Sequence, residues 1–286
     1  MKMPPFDYAC PATLAEAVAL LASGNGDAKA LAGGQSLLPM LAFRLAQPSL
    51  LVDLRKLSDL REIRISAGGV RLGAMVRWRE VLDDARLACA HPLLKAAVAQ
   101  VAYYQIRNRG TVGGSLAHAD PAAEMPGIAV TCEAEISVLG KSGARVIKAS
   151  EFFQGPLMTA LASDEIIVDV RLPAWPPRRR WGFMEFARRR GDFALAAAAV
   201  FYDQDENGKA CNARAGAIGV ADRPLRLPSV EAVLNGRAVN DETIAQAEAA
   251  ASAAVDPQDD IHASAAYRRA LIGTMVERAL KAARAR

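Results

Sequence analysis

Ile106-Arg107-Asn108-Arg109-Gly110-Thr111-Val112-Gly113-Gly114-Ser115-Leu116-Ala117-His118-Ala119-Asp120-Pro121 is the stretch on which the reading of this chain turns. Its glycine doublet, followed by a serine, has a counterpart far upstream in Ala32-Gly33-Gly34-Gln35-Ser36. A glycine pair followed by a hydroxyl residue lets the backbone approach an anion closely, aims consecutive N–H groups at it and adds a side-chain donor. Each doublet follows an apolar run, and each alone is equally an ordinary turn at a strand end. Together they point to a diphosphate held between two lobes.

Periodicity places both doublets in a two-lobed frame. Thr13–Ser23 reads as a helix with Leu14, Val18 and Leu21 on one face, a threonine at its start and Gly24 as its stop. Residues 28–32 and 50–54 read as buried strands around a helix or packed turn at 36–45, which gives a small, partly parallel α/β lobe over about 1–57. From 58 to 176 the pattern becomes α+β. Hairpins are expected at 63–72 and 135–147, helices at 78–85, 92–101 and 121–131, and a closing strand at 165–171. The Thr111–Ala117 segment reads as a glycine-rich turn. Pro173, Pro176 and Pro177 interrupt any regular element and set a domain boundary at 176/177. Beyond it, strands at 181–187, 194–202 and 210–220, the last two joined through Asn207-Gly208, precede helices at 230–234, 241–254 and 263–284.

Composition narrows the function classes. The chain has 286 residues, 52% of them hydrophobic, which is ample for a buried core. The longest apolar run, Phe193–Tyr202, is ten residues, against roughly 20 for a bilayer span. Prolines and an aspartate stand where a signal peptide would carry its apolar stretch, so a cytoplasmic protein without a membrane span is expected. Cys10, Cys89, Cys132 and Cys211 are scattered, without a Cys-x-x-Cys pair, and read as small apolar core residues rather than metal ligands. A net charge of +4 does not argue for nucleic acid.

Competing motifs fall away. Gly-x-Gly-x-x-Gly is absent after either strand, which disfavours a Rossmann dinucleotide fold. Gly140-Lys141-Ser142 imitates the end of a phosphate-binding loop, but Glu135 stands where that loop needs glycine. Arg178–Arg180 and Arg188–Arg190 are either solvated runs or docking sites for a partner or a phosphate. Tyr103 and Tyr104 read as core aromatics. His118 lacks a nucleophile or metal context. Asp120 and Glu124, just past the second doublet, suit acceptance of hydrogen bonds from sugar or polyol hydroxyls.

With Ala32–Ser36, Ile106–Pro121 and Arg189-Arg190-Gly191-Asp192-Phe193-Ala194 taken in order, the chain resembles, over essentially its whole length, the FAD-binding medium subunit of molybdenum hydroxylases. That group includes carbon monoxide dehydrogenase, nicotinate dehydrogenase and the flavin domain of xanthine dehydrogenase. The resemblance implies an α+β architecture: a two-lobed vanillyl-alcohol-oxidase-type (PCMH-type) FAD domain, then a C-terminal domain of antiparallel strands and helices. It implies FAD contacts from Ala32, Gly33, Gly34, Gln35 and Ser36 on one lobe and Thr111, Gly113, Gly114 and Ser115 on the other. Asp120 and Glu124 would lie near the ribityl or ribose hydroxyls, and Leu161 beside the flavin. Three positions depart from the family pattern: Ser115 replaces a frequent asparagine, Gln35 a histidine, and Glu185 lies near a frequent lysine.

The implied function is non-covalent FAD binding and electron transfer, with no substrate chemistry in this chain. Molybdopterin would belong to a large partner subunit and two [2Fe-2S] clusters to a small one, assembled as a dimer of heterotrimers. A self-sufficient FAD oxidase or reductase of the same fold, and a non-enzymatic docking protein, are the alternatives.

Overall fold

The computed structural model describes residues 2–286. Its first lobe is a three-stranded, all-parallel sheet in the order β1-β3-β2, built from β1 (Asp7–Ala9), β2 (Ala28–Leu31) and β3 (Leu50–Asp53). Strand β1 was not expected from the sequence, because three residues behind a Pro-Pro pair carry almost no periodicity. Helix α1 (Leu14–Ser23) is capped by the Thr13 side chain, which accepts from the Glu16 amide, and buries Ala17, Val18 and Leu21. Helix α2 (Leu37–Ala42) follows the first glycine doublet directly, with Pro39 in its first turn, where a missing N–H costs nothing.

The second lobe holds a five-stranded antiparallel sheet in the order β4-β5-β8-β6-β7. Its strands are β4 (Ile63–Ser66), β5 (Gly69–Gly73), β6 (Glu135–Gly140), β7 (Gly143–Lys148) and β8 (Ile166–Leu172), so both expected hairpins form. The helices here include α3 (Pro92–Val98), α4 (Val112–His118) and α5 (Glu124–Thr131), besides shorter ones such as Trp78–Asp83, where a helix was expected. The second doublet therefore opens a helix and is not a turn at a strand end. Thr111 forms a single bridge with Arg77 and then caps α4, its Oγ1 accepting from the Gly114 amide at 3.1 Å. The two glycines obscured this helix because their helix propensity is low. Tyr103 and Tyr104, expected in the core, are 47% and 62% exposed. Of the cysteines only Cys132 is buried, and Cys89 is exposed.

The C-terminal domain is a four-stranded antiparallel sheet covered on one face by helices. The strands are β9 (Arg180–Phe186), β10 (Ala196–Gln204), β11 (Ala210–Ile218) and β12 (Leu225–Arg226); the long helices are α6 (Asp241–Ala253) and α7 (Ala265–Arg284). Strand β9 alternates cleanly. Gly182, Met184 and Phe186 face the helical layer, where a Cβ on Gly182 would lie 2.0 Å from the Ala279 carbonyl oxygen, while Trp181 and Phe183 pack toward the second lobe.

Several contacts join this domain to the second lobe, among them the Glu133 ion pairs with Arg214 and Arg226 and two closer features. Helix α5 lies against β11 without Cβ atoms at the closest points: one on Gly127 would meet Ile218 Cγ1 at 2.2 Å, and one on Gly216 would meet Thr131 Oγ1 at 1.8 Å. The proline-rich segment, read as a linker, is in fact anchored. Arg179 pairs with Asp203 at 2.8 Å and lies over the Trp175 and Phe201 rings, and Trp175 stacks on the buried His91 at 4.6 Å. Arg179 is thus structural, whereas Arg188–Arg190 are exposed.

We expect Gly127→Ala to destabilise the protein by about 1–3 kcal/mol through overpacking, read as a lower denaturant midpoint. Gly68→Ala, whose Cβ would have no neighbour nearer than 3.6 Å, should leave that midpoint unchanged. His91 is held neutral by burial, its pKa pushed down to about 3, while its Nδ1 accepts from the Leu94 amide. Between that value and the ordinary histidine range the unfolded chain binds more protons than the folded one, so stability should fall as pH falls through this window. His91→Asn, which can still cap α3, should flatten that acid slope in pH-dependent melting curves.

Candidate functional site

The two glycine segments meet. A Cβ on Gly33 would lie 2.2 Å from the Arg109 carbonyl oxygen and 2.9 Å from Gly110 Cα, and one on Gly114 would sit 3.5 Å from Ala32 Cβ. The backbones can approach this closely at Gly33 only because it lacks a side chain. Gly34 adds a left-handed turn, φ +73°, which directs the chain from β2 into α2.

Beside this junction opens a cavity of about 560 Å³. All the predicted site residues except Gly33 line it: Ala32, Gly34, Gln35 and Ser36 from the first lobe; Thr111, Gly113, Gly114, Ser115, Asp120, Glu124 and Leu161 from the second. Gly33 sits behind them as the contact point between lobes. Lys29, Trp78, Ile106, Thr159, Glu165 and Asp192 also line the cavity and were not anticipated. They come from strand interiors, helix starts and loops spread over both domains, with no shared spacing. Ile106 and Asp192 lie within the motif stretches that carry the family resemblance, although neither was singled out as a site residue.

The hydrogen-bond pattern separates the roles of the two doublets. On the second, every amide is already engaged: Val112 donates to Val76 O, Gly113 to Ala74 O, Gly114 to Thr111 Oγ1 and Ser115 to Thr111 O. The sequence-based expectation that both turns aim free N–H groups at an anion is thus corrected for this one. On the first, the amides of Gly33, Gly34, Gln35 and Ser36 donate to no group among the described residues. Four successive unspent donors on a chain reversal form an anion-binding nest. The second segment contributes close approach and the Thr111 and Ser115 hydroxyls. This arrangement passes the test for a diphosphate-bearing cofactor: donors on one wall, a wall thinned by missing side chains opposite, and an apolar lining for a ring.

The acidic residues differ in state. Asp120 is engaged locally, its Oδ1 accepting from the Ala122 amide at 2.8 Å. Glu124, the first residue of α5, is 6% exposed, and burial together with the charges of Glu185 and Asp120 pushes its pKa up to about 8. Glu185 is pushed up to about 7 by burial alone. Gln35, in place of a histidine, turns its amide back to donate to Gly33 O at 3.3 Å. At the mouth of the cavity the C-terminal domain reaches over: Gly191, Asp192 and Phe193 line it, and the Tyr103 hydroxyl donates to Asp192 at 3.3 Å.

Two lobes enclosing an extended cavity, with a backbone anion nest facing a glycine-opened helix, define an FAD-binding oxidoreductase module. Residues 4–175 match the family model of the FAD binding domain in molybdopterin dehydrogenase, and residues 181–283 that of the CO dehydrogenase flavoprotein C-terminal domain. The chain belongs to the FAD-binding medium-subunit family of the molybdenum hydroxylases. It is 40% identical to the nicotine 6-hydroxylase medium subunit of Paenarthrobacter nicotinovorans, with 100% of both chains covered. The carbon monoxide dehydrogenase structure from Hydrogenophaga pseudoflava superposes with a TM-score of 0.96 at 38% identity, covering 100% of this chain and 99% of that one. Quinoline 2-oxidoreductase from Pseudomonas putida 86 gives 0.94 at 40% identity, with 100% and 99% covered. The α+β, two-lobed PCMH-type fold with its C-terminal domain is that of this family. No helix among the described residues is long and apolar enough to cross a membrane.

Gly33→Ala should push the two lobes apart at a contact between backbones, which cannot give way. The expected result is FAD affinity lowered by about fivefold to a hundredfold, from a cost of about 1–3 kcal/mol, measured by titration of FAD into cofactor-free protein.

Proposed function

We propose that this chain is the electron-transfer subunit of a three-component molybdenum hydroxylase. Electrons would arrive singly from [2Fe-2S] clusters in a small partner subunit and leave to an external acceptor. Substrate oxidation would take place at molybdopterin in a large partner subunit. The complex would be a dimer of heterotrimers in the cytoplasm, and residues 1–176 and 177–286 are the two domains of this chain. The observation that carries the reading is the run of unspent amides at Gly34, Gln35 and Ser36, residues that line the same cavity as Thr111, Gly113, Gly114 and Ser115.

Bound FAD supplies two-electron storage between one-electron donors and the final acceptor. The chain's residues hold and shape that carrier. The Gly34, Gln35 and Ser36 amides would hold the pyrophosphate, with the Thr111 and Ser115 hydroxyls as donors from the second lobe. Asp120 and Glu124 orient the ribityl or ribose hydroxyls. Leu161 and Trp78 give the ring an apolar bed and keep water from it.

Reconstitution tests this division of labour. The purified chain should take up one FAD and stay oxidised when offered substrates of the hydroxylase class. Addition of the two partner subunits should make flavin reduction substrate-dependent. Bleaching of the flavin by substrate in the isolated chain would overturn the relay role and assign a self-sufficient oxidoreductase, with His118, which lines the cavity, as the first base to test.

A further inference from the structure

Arg268, in the first turn of α7, is the only arginine or lysine buried among the described residues, at 7% exposed. A buried guanidinium has to be matched by acceptors. Its Nη1 donates to Leu195 O and to Gly219 O, each at 2.8 Å, and its Nη2 donates to Asp260 Oδ2 at 2.6 Å. Leu195 immediately precedes β10, and Gly219 immediately follows β11. Asp260 is itself fixed, because its Oδ1 accepts from the His262 and Ala263 amides at 2.8 and 2.9 Å. One side chain thus ties two strand ends to the loop that leads into α7.

Both strand ends lead to the cavity. Gly219 turns with φ +76°, and a Cβ on it would lie 2.7 Å from the Ala194 carbonyl oxygen, so the two segments that Arg268 joins also meet backbone to backbone. The Gly219 amide donates to Pro121 O at 2.9 Å, between Asp120 and Glu124 of the cavity wall. Upstream of Leu195 runs the strap Gly191–Phe193, the part of the C-terminal domain that lines the cavity. Its far end is fastened to the second lobe: a Cβ on Gly191 would lie 2.9 Å from Ala102 O, and Asp192 accepts from the Tyr103 hydroxyl. Arg107 braces that corner by donating to the Val101 and Ala102 carbonyls, each at 3.0 Å. The strap is therefore held at both ends, by the second lobe at one and by Arg268 at the other.

We propose that Arg268 is a positioning residue for the cofactor site: from behind the cavity it holds the Gly191–Phe193 strap and the Asp120–Glu124 wall in one arrangement, so that retention of FAD depends on a guanidinium that does not line the cavity. The inference rests on the assignment of this cavity to FAD and goes beyond it by naming what in the C-terminal domain shapes the site. Arginine suits the task because its planar fork reaches two carbonyls and a carboxylate at once, whereas lysine offers a single ammonium. Helix α5 packs on β11 independently, through Gly127 and Gly216. Loss of Arg268 should therefore loosen the strap and the wall without parting the domains.

The test uses the full chain with Arg268→Lys, Asp260→Asn and, as a control on the same helix, Arg284→Lys, whose partner Asp241 is exposed. Release of FAD, followed by flavin fluorescence after dilution, should be about tenfold faster in Arg268→Lys, as for loss of one charge-assisted hydrogen bond. It should be faster by a smaller factor in Asp260→Asn and unchanged in Arg284→Lys. Hydrogen exchange on the cofactor-free chains should quicken in Arg268→Lys at the strap, at Gly219 and at the Ala122–Glu124 amides, with α5 beyond its first turn and β10 protected as in the wild type. FAD release unchanged in Arg268→Lys would overturn the positioning role. So would exchange quickened evenly over α5, β10 and α7, which would assign Arg268 to general stability. Should Arg268→Lys fail to fold, Asp260→Asn decides on the same two readouts. A wild-type chain that takes up no FAD would overturn the assignment of the cavity, while the exchange pattern still decides whether Arg268 ties strap to wall.

Discussion

The contact between Gly33 and the Arg109 carbonyl is the constraint on which the site depends. Backbone meets backbone there, at a distance no Cβ would permit, while the apolar cluster of Leu21, Val52, Met75 and Ile166 joins the same two lobes beside it. Move this point outward by the width of a methyl group and the free amides of the first turn no longer face the hydroxyls of the second. This junction is narrow, and it leaves the sequence few choices.

The two doublets, so alike in composition, do different work because of what precedes them. Ala32-Gly33 leaves a parallel strand at its carboxyl end, where the sheet makes no further use of backbone donors, and the four amides that follow remain free. Thr111-Val112-Gly113 crosses the loop after β5, and its amides are taken by the Val76 and Ala74 carbonyls. One segment binds; the other braces. In the second, glycine is required by the approach of Ala74, whose Cβ would lie 2.5 Å from a Cβ on Gly113.

Much of this was legible in the sequence, and the misses have physical causes. Strand alternation at 63–72 and 135–147, the Asn207-Gly208 turn and the capped helix after Thr13 were readable because local rules suffice for them. Helix α4 was hidden by its own glycines, and β1 by its length. Tyr103 and Tyr104 read as core because aromatic residues usually are, but the positive φ of Ala102 turns the chain outward just before them. Arg179 looked like one of three solvated arginines, and only the distant Trp175, Phe201 and Asp203 give it a buried role. The site residues found in advance were those in or just after the glycine motifs, Asp120 and Glu124 among them, together with Leu161 from the family resemblance. Lys29, Trp78 and Glu165 reach the cavity through tertiary placement, which no short-range pattern encodes.

The cavity is walled by both lobes and by Gly191–Phe193 of the C-terminal domain, with α5 passing from its wall into the domain interface. A ligand that fits it touches every folding unit of the chain at once and gains that contact only when all are assembled. Its binding energy is then shared out as resistance to unfolding by each of them. Loss of such a ligand would lower resistance to unfolding in both lobes and the C-terminal domain together.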